Sequence, residues 1–222
     1  MVSSDVSKVV SDPSRPAVDR SRDAVRKPVE VLAFAGVTPG MKVAEWIPSG
    51  GYYTRLLSGV VGPTGKVFGI DVDSWDSGED AKMAAEPGRE NVSIHLGKFG
   101  EFEPDETVDL VWTTQNYHDL HVAEYGAGDP AAFNRKIHAS LNPGGIYIIQ
   151  DHAAALGSDE ARVAEVHRIE KSKVIEEVTA AGFKLVDESH LLSDGSDDHA
   201  SNSSDAAIKG HTDQFLLKFQ KV

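Results

Sequence analysis

Two polar segments carry the side chains best suited to acid–base chemistry. One covers residues 115–121, with the sequence QNYHDLH, and the other contains Asp151 and His152. Histidine has the ordinary pKa nearest to physiological pH, which makes it the preferred general base. The predicted catalytic residues are His118, His152 and Tyr117, and the predicted substrate contacts in these segments are Tyr117, His118, Asp119, His121 and His152.

The same side chains also permit two other interpretations. Nitrogen and carboxylate ligands suit zinc, iron or manganese, so a metal-dependent transferase or hydrolase is an alternative that would use His118, Asp119, His121 and His152. The HDLH segment lacks the helical spacing of H-E-x-x-H, and we therefore predict no metal. A histidine that hydrogen-bonds the backbone in a loop is the third interpretation of each residue.

A second group of residues predicts a ligand with an anionic group and a ribose. Glu45 precedes a turn that contains Gly50 and Gly51, and a helical pattern follows. Glycines let a ligand approach the backbone, and the exposed amides at a helix start favour an anion. Asp71 lies 20 residues beyond Gly51, a separation at which an acid commonly binds ribose hydroxyls. These residues together predict a ligand that contains a nucleoside.

Missing motifs narrow the choice of nucleoside. The third glycine of G-x-G-x-x-G, which a dinucleotide needs, is replaced in the region of Tyr53 and Thr54. The phosphate-binding G-x-x-x-x-G-K-[ST] motif is absent. An acid before a glycine turn, with another acid ending the next strand, suits a nucleoside that carries a zwitterionic amino-acid tail. S-adenosylmethionine is such a molecule.

Alternating strands and helices are expected to position these residues. The predicted strands are 41–47, 66–71, 91–96, 108–113, 146–149, 183–188 and 214–219, and the predicted helices are 28–35, 53–60, 130–141 and 159–181, the last broken near Ile169. This order predicts a doubly wound α/β sheet with helices on both faces. In such sheets ligands bind beyond the carboxyl ends of the strands, where both groups of residues are found.

Composition restricts the partners and the compartment. The chain has 22 basic and 35 acidic side chains, a net charge of −13, which argues against nucleic acid and anionic membranes. The absence of cysteine excludes disulfides, thiolate zinc sites and cysteine nucleophiles. Residues 1–14 lack the pattern of a secretory signal and no apolar run is long enough to span a bilayer, so a cytoplasmic location is expected. An exported form with a trimmed signal would look the same.

Several motifs together resemble the class I S-adenosylmethionine-dependent methyltransferases. They are PGMKVA-EWIPSGGYYT, the acid of GID, the LNPGG turn and the AGF near the end. Within that superfamily, RDAVRKPVEVLAF, QNYHDLH, DHAA and DQFLLKF resemble a group of small bacterial predicted methyltransferases of undefined substrate. The resemblance implies a seven-stranded Rossmann-like sheet with an antiparallel last strand.

The resemblance also implies roles by position. Glu45 matches the acid near the methionine amino group, Asp71 the ribose ligand, and Gln115 a residue that touches both cofactor and substrate. The implied S-adenosylmethionine contacts are Glu45, Pro48, Ser49, Gly50, Gly51, Tyr53, Thr54, Asp71, Val72, Lys98, Phe99, Gln115 and Asn116. Ile47 and Ser49 depart from the pattern, which prefers glycine there, and Lys98 stands where an acid often meets the adenine.

The expected function is methyl transfer to oxygen or nitrogen of a small molecule, with a histidine as base. A non-catalytic module of the same fold that binds the cofactor is the alternative. Arg22 and Arg26, in a basic cluster, could bind a substrate carboxylate or form a solvated helix face. Residues 1–27 are predicted to be an N-terminal extension or cap and residues 28–222 the methyltransferase domain. The polar segment 193–213 is a predicted lid, interface or disordered loop, and a homodimer is an assembly hypothesis.

Overall fold

The computed structural model describes residues 4–126 and 128–222. The strands are β1 (Lys42–Trp46), β2 (Lys66–Val72), β3 (Val92–Gly97), β4 (Val108–Thr114), β5 (Leu141–His152), β6 (Phe183–Ser189) and β7 (Gln214–Lys221). The α-helices are α1 (Ser4–Val10), α2 (Ala17–Arg20), α3 (Asp23–Arg26), α4 (Pro28–Ala35), α5 (Tyr52–Val61), α6 (Glu79–Ala84), α7 (Pro130–Ser140), α8 (Glu160–Val166) and α9 (Lys171–Ala180).

The strands form one seven-stranded sheet in the order β3-β2-β1-β4-β5-β7-β6. Neighbours from β3 to β5 pair in parallel, and β7 runs antiparallel to both β5 and β6. The winding reverses between β1 and β4, which places the switch point beside the end of β1. The predicted sheet with its antiparallel last strand is confirmed.

Both faces of the sheet are covered, which explains why residues 146–149 of the central strand β5 are apolar without interruption. Successive residues point to opposite faces, so Val43 and Leu110 pack under α4 and α5, whereas Ala44 and Val111 pack on the α7 and α9 side. All four side chains are buried. Parallel strands shielded on both faces lose alternation in just this way.

The structure adds elements that the hydrophobic pattern did not predict. Four helices of four to seven residues, α1, α2, α3 and α6, fall in polar sequence. Strand β5 begins at Leu141, which pairs with Val108, and therefore includes the LNPGG segment expected to be a turn. The predicted break near Ile169 is confirmed because α8 ends at His167, whose φ of 51° is left-handed.

Loops at one edge of the sheet bring the chemistry-bearing side chains together. The carboxyl ends of β1, β2, β4 and β5 meet there, and Gln214 at the start of β7 pairs with His152 at the end of β5. The polar segment 190–213 returns to this edge before β7 begins. In the described part of the chain, no helix is both long and apolar enough to cross a membrane.

Candidate functional site

The loop after β1 keeps a glycine-type backbone although two of its residues carry side chains. Left-handed φ angles occur at Ile47 (56°), Ser49 (50°), Gly50 (80°) and Gly51 (84°). This conformation costs a residue with a Cβ about 1–2 kcal/mol, and it is rarest for β-branched residues such as isoleucine. Strain of this kind persists where the surrounding structure demands it, often at a ligand site.

Helix α6 closes one side of this glycine loop. A Cβ on Gly51 would lie 2.7 Å from Cγ of Met83, so only glycine fits under the helix. The Gly50 N–H donates to Oδ1 of Asp80 at 2.7 Å. Burial, together with a hydrogen bond and charge from Asp71, raises the pKa of Asp80 well above its ordinary value. Sequence reasoning missed Asp80, because a short helix in polar sequence gives no periodic signal.

Glu45 ends β1 as a buried carboxyl group that is 3% exposed. Its Oε2 accepts a hydrogen bond from the hydroxyl of Thr54 at 2.5 Å. Burial raises the pKa of Glu45 to about 8, although the Thr54 hydrogen bond and the Arg26 charge oppose the rise. Thr54 thus supports Glu45. A buried carboxyl poised to ionise is suited to receive a cationic ligand group.

Arginines from the N-terminal helices lie across the same loop. The guanidinium carbon of Arg26 is 4.5 Å from the ring centre of Tyr52, and that of Arg22 is 4.8 Å from it. Arg22 pairs with Asp19, whereas Arg26 forms no ion pair among the described residues. The basic cluster is therefore part of the site, and Arg26 retains a positive charge that faces the loop.

A small cavity of about 140 Å³ lies between these groups. Its walls are Arg22, Arg26, Glu45, Ile47, Pro48, Ser49, Tyr52, Tyr53, Thr114, Gln115 and Asn116. A carboxyl group on one wall and a guanidinium on the other match the ammonium and carboxylate of an amino acid. The chemistry of this donor set fits the amino-acid half of S-adenosylmethionine.

Most residues that were expected to contact the adenosyl half of the cofactor lie outside the cavities. In the described structure, Gly50, Gly51, Thr54, Asp71, Val72, Lys98 and Phe99 line neither this cavity nor the larger cleft beside it. The Phe99 ring centre lies 5.7 Å from that of Trp46 and 5.4 Å from that of Trp75, and Trp75 also contacts Tyr125. These rings form an aromatic cluster, and its members Trp75 and Tyr125 were not predicted.

A chain of amide side chains crosses the strand ends. Gln115 Oε1 faces Arg26 at 3.4 Å, and Gln115 Nε2 donates to Gln214 at 3.2 Å. Gln150 Nε2 donates to the same Gln214 oxygen at 2.7 Å, and the Tyr53 hydroxyl donates to Gln150 at 3.3 Å. Gln115 has a left-handed φ of 59°. This network joins the glycine loop to the histidines.

His118 lies between two carboxylates at the bottom of the larger cleft. Its Nδ1 is 2.8 Å from Oδ1 of Asp151, and its Nε2 is 3.2 Å from Oδ1 of Asp119. Burial favours the neutral ring, but the two carboxylates outweigh it and raise the pKa of His118 to about 10. His118 therefore carries a proton at neutral pH and is not free to accept another.

His152 has the opposite electrostatic setting. Burial, assisted by the charge of His118, lowers the pKa of His152 to about 4, although Asp151 opposes the shift. Its Nδ1 lies 2.8 Å from the hydroxyl oxygen of Thr212, and its Nε2 has no hydrogen-bond partner among the described residues. A neutral imidazole with one free nitrogen is a competent proton acceptor.

Two predicted residues of the QNYHDLH segment point away from the cleft. Tyr117 is fully buried, and its hydroxyl contacts Glu177 at 2.9 Å and Asn134 at 2.7 Å. His121 Nε2 lies 3.2 Å from Glu177. The helix over Tyr117–His121 is a 3-10 helix, in which residues three apart share a face, so His118 and His121 could have been expected together. Core contacts at Glu177 instead hold Tyr117 and His121.

The acceptor cleft, as we name the larger cavity, has a volume of about 670 Å³. Its walls are Ser21, Arg22, Val25, Arg26, Gln115, His118, Asp119, Tyr125, Gln150, His152, His167, Ser203, Ser204, Lys209, Gly210 and Gln214. It shares Arg22, Arg26 and Gln115 with the 140 Å³ cavity, so the two spaces adjoin. His167 was assigned no role from sequence.

Comparison with known proteins identifies the family of the chain that carries this site. Residues 49–198, more than half of the chain, match the family described as methyltransferase domain. The chain belongs to this methyltransferase domain family. No curated protein matches the methyltransferase domain in sequence. The expected methyltransferase family is therefore confirmed at the level of the domain. The assignment to class I and the narrower resemblance to small bacterial proteins of undefined substrate stay predictions.

Solved structures agree with this methyltransferase domain in fold. A SAM-dependent methyltransferase from Aquifex aeolicus has a TM-score of 0.67 at 20% identity, over 98% of this chain and 99% of that one. Fibrillarin from Aeropyrum pernix, with natively bound S-adenosyl-L-methionine, has a TM-score of 0.56 at 16% identity, over 89% and 76%. The [4+2]-cyclase SpnF scores 0.64 at 18% identity, over 95% and 84%.

Proposed function

We propose that the methyltransferase domain binds S-adenosylmethionine over the glycine loop and methylates an oxygen or nitrogen of a small molecule in the acceptor cleft. The observation that carries the proposal is the adjacency of two cavities, because the charge-matched 140 Å³ cavity shares the lining residues Arg22, Arg26 and Gln115 with the 670 Å³ cleft. The cleft volume falls within the roughly 300–1,000 Å³ of small-molecule sites, and the net charge of −13 argues against nucleic acid.

The residues of this chain would bind the cofactor, align the acceptor with its methyl group and deprotonate the acceptor. S-adenosylmethionine supplies an electrophilic methyl group on a sulfonium. Glu45 and Arg26 hold the amino-acid tail, and the Gln115–Gln214–Gln150 network fixes the floor between the two cavities. The acceptor heteroatom gains a bond to carbon as the sulfur–carbon bond breaks, and alignment of these atoms contributes up to about 7–11 kcal/mol.

His152, and not His118, is the proposed base. The acceptor proton passes to Nε2 of His152 in the tautomer whose Nδ1–H donates to Thr212. His118 already carries a proton between Asp119 and Asp151, so it acts as a fixed positive charge near the cleft. Tyr117 and His121 have no part in the proposal because their side chains contact Glu177.

Calorimetric titration with S-adenosylmethionine and with its demethylated product tests the binding half of this proposal. We expect saturable binding of one molecule per chain in the micromolar range for both compounds. Transfer of a labelled methyl group to members of a small-molecule acceptor library then tests the catalytic half. Absence of heat with either compound would refute the cofactor assignment.

A second candidate is a non-catalytic module of the same fold that binds a nucleoside. It is favoured by the position of Asp71, Lys98 and Phe99, which were expected to contact the adenosyl group but line neither described cavity. A shared fold does not fix the reaction, as the cyclase SpnF illustrates. Cofactor binding without turnover on any acceptor, together with an unchanged cofactor affinity in His152→Ala, would favour this candidate over methyl transfer.

A further inference from the structure

Three side chains of metal-binding types meet at one end of the acceptor cleft, and none of them is the proposed base for methyl transfer. They are His118, Asp119 and His167, and one ligand atom from each lies within 4.8 Å of the other two. His121 and His152, which sequence reasoning placed in a metal alternative, are not members of this group. His167 takes their place, although it lies 48 residues from Asp119 and 49 residues from His118 in sequence.

We propose that His118, Asp119 and His167 form a binding site for one divalent transition-metal ion. Two donor atoms that are each about 2.1 Å from one ion, at about 90–110°, lie about 3.0–3.4 Å from each other. Oδ1 of Asp119 is 3.2 Å from Nε2 of His118 and 3.6 Å from Nδ1 of His167. The His118 and His167 donor atoms lie within 4.8 Å of each other, so a bound ion would draw the partly exposed His167 ring closer to the other two ligands.

The surroundings of His118 match those of a metal ligand. Metal-bound histidines usually donate their other ring N–H to a carboxylate, which fixes the tautomer and aims the free nitrogen. Asp151 accepts from Nδ1 of His118 at 2.8 Å and from its backbone N–H at 2.8 Å, and Asp151 is fully buried. The Nε2 of His118 is thereby aimed at Asp119. A cation there would replace the proton that Nε2 otherwise carries.

The backbone of His167 supports the same conclusion independently. His167 ends helix α8 with a left-handed φ of 51°, a conformation that costs a residue with a Cβ about 1–2 kcal/mol. Glycine would end the helix without this cost. The strained residue instead presents an imidazole 5.4 Å, centre to centre, from that of His118. A ligand role explains why a histidine occupies this position.

The ligand set indicates the class of ion and of acceptor. Two imidazoles and one carboxylate suit zinc, iron(II), cobalt(II) or manganese(II), whereas magnesium prefers oxygen ligands alone. Three protein ligands leave coordination positions that face the cleft, where an oxygen-bearing acceptor could bind. A metal-bound hydroxyl loses its proton more readily. The site therefore favours hydroxyl acceptors over amines, a choice that rests on the proposed function.

Cobalt(II) is the probe, because it gives visible absorption bands when histidine binds it. The full chain, prepared without a polyhistidine tag and without S-adenosylmethionine, is titrated by absorption spectroscopy and calorimetry. We expect one cobalt ion per chain, visible d–d bands, and a rise in the melting temperature that follows mass action. Magnesium should produce none of these changes. Absence of stoichiometric binding would overturn the proposal.

Matched variants locate the ion. His167→Asn removes the ligand, and asparagine tolerates the left-handed backbone, while Asp119→Asn keeps the shape of the side chain. Each is expected to weaken cobalt binding at least about tenfold. His190→Ala is the control because its exposed ring lies outside the cluster. Unchanged affinity in both folded cluster variants would overturn the assignment. Since no methyl donor is present, the outcome is independent of the S-adenosylmethionine titration.

Discussion

The glycine loop and the histidine end of the acceptor cleft lie on the same edge of the sheet but are built differently. At the loop, backbone conformation dominates, and left-handed angles persist at Ile47 and Ser49 where glycine is absent. At the histidine end, side-chain charges dominate, and two rings whose centres are 6.2 Å apart have pKa values of about 10 and about 4. An exposed side chain of the loop, such as Ser49, should therefore be replaceable with little effect, whereas single charges at the histidine end should matter more.

Arg168→Met should give the largest effect on stability. It removes the side chain that binds Asp197 in the polar segment 193–213, which packs near the histidine end of the cleft. Arg168 and Asp197 are both fully buried and lie 2.6 Å apart. Removing one partner leaves a buried charge unpaired, so we expect the free energy of unfolding to fall by about 3–5 kcal/mol in urea denaturation. Arg162→Ala breaks the exposed pair with Glu165 and should cost less than about 1 kcal/mol. Equal losses in the two variants would contradict this account.

His152→Ala tests the chemistry at the histidine end. Loss of a general base should lower the turnover rate at least about 100-fold with an acceptor that the wild type methylates. The affinity for S-adenosylmethionine should stay within about twofold, because His152 lines the acceptor cleft and not the smaller cavity. His190→Ala serves as the matched control in the same assay. A variant that retains full turnover would remove His152 from the mechanism.

Glu45→Gln tests the one charged side chain that β1 supplies to the loop. A hydrogen bond to a charged group contributes about 1.5–3 kcal/mol, so affinity for S-adenosylmethionine should weaken about 10- to 100-fold in calorimetry. Glu176→Gln, on the exposed face of α9, should leave the affinity unchanged. If Glu45→Gln bound as tightly as wild type, the loop would act through its backbone alone.

The same Glu45→Gln variant should change how stability depends on pH. The pKa of Glu45 is raised from 4.5 to about 8, so the folded state binds its proton more tightly than the unfolded state. Its contribution to stability is full below about pH 4.5 and is lost as the pH rises towards 8. One pKa unit is worth about 1.4 kcal/mol and 1 kcal/mol shifts the melting temperature of a chain of this size by about 2–4 °C. The melting temperature of the variant relative to that of wild type should therefore rise by roughly 7–14 °C between pH 5 and pH 8. A constant difference would indicate that Glu45 is already ionised.

Ser49→Gly should give the smallest effect and completes the test of the loop. Glycine removes a left-handed cost of about 1 kcal/mol but adds about 0.4–1 kcal/mol of unfolded-state entropy. The exposed Ser49 buries nothing, so the melting temperature should change by less than about 2 °C. Ile47→Gly is the contrasting variant, because it also removes a buried side chain and should destabilise the protein clearly. Similar losses in both would show that packing at position 49 has been misjudged.

The sequence predicted the sheet well because its elements have strong periodic signals. Strands β1 to β4 agree with the predicted segments to within one or two residues, and Pro130 begins a helix as expected. The short helices α2, α3 and α6 were missed because four to six residues are too few to show a hydrophobic period. Helix α1 was also missed, although Val6, Val9 and Val10 have helical spacing. Asp80 lies on α6 and Arg26 on α3. Because these helices are so short, nothing in the neighbouring sequence indicated that either side chain would contact the glycine loop or its cavity.

Residues after strands were easier to predict than residues brought in by loops. Glu45, Gln115 and His152 follow or end strands, and the sheet necessarily gathers them at one edge. His167 and Gln214 reach the same edge through the α8–α9 break and through strand β7, and their contacts depend on tertiary packing. Tyr117 and His121 show the converse limit. Their segment was identified correctly, but only the position of Glu177 decides which way each side chain turns.

Half of the sixteen residues that line the acceptor cleft come from two segments far apart in sequence, residues 21–26 and residues 203–210. Neither is part of the sheet. Exchange of these two segments, by recombination or by design, would therefore reshape the cleft opening while β1 to β5 and their side chains stayed as they are. Proteins that share this sheet should therefore differ first in the molecules that enter the cleft, and only later in the reaction that takes place there.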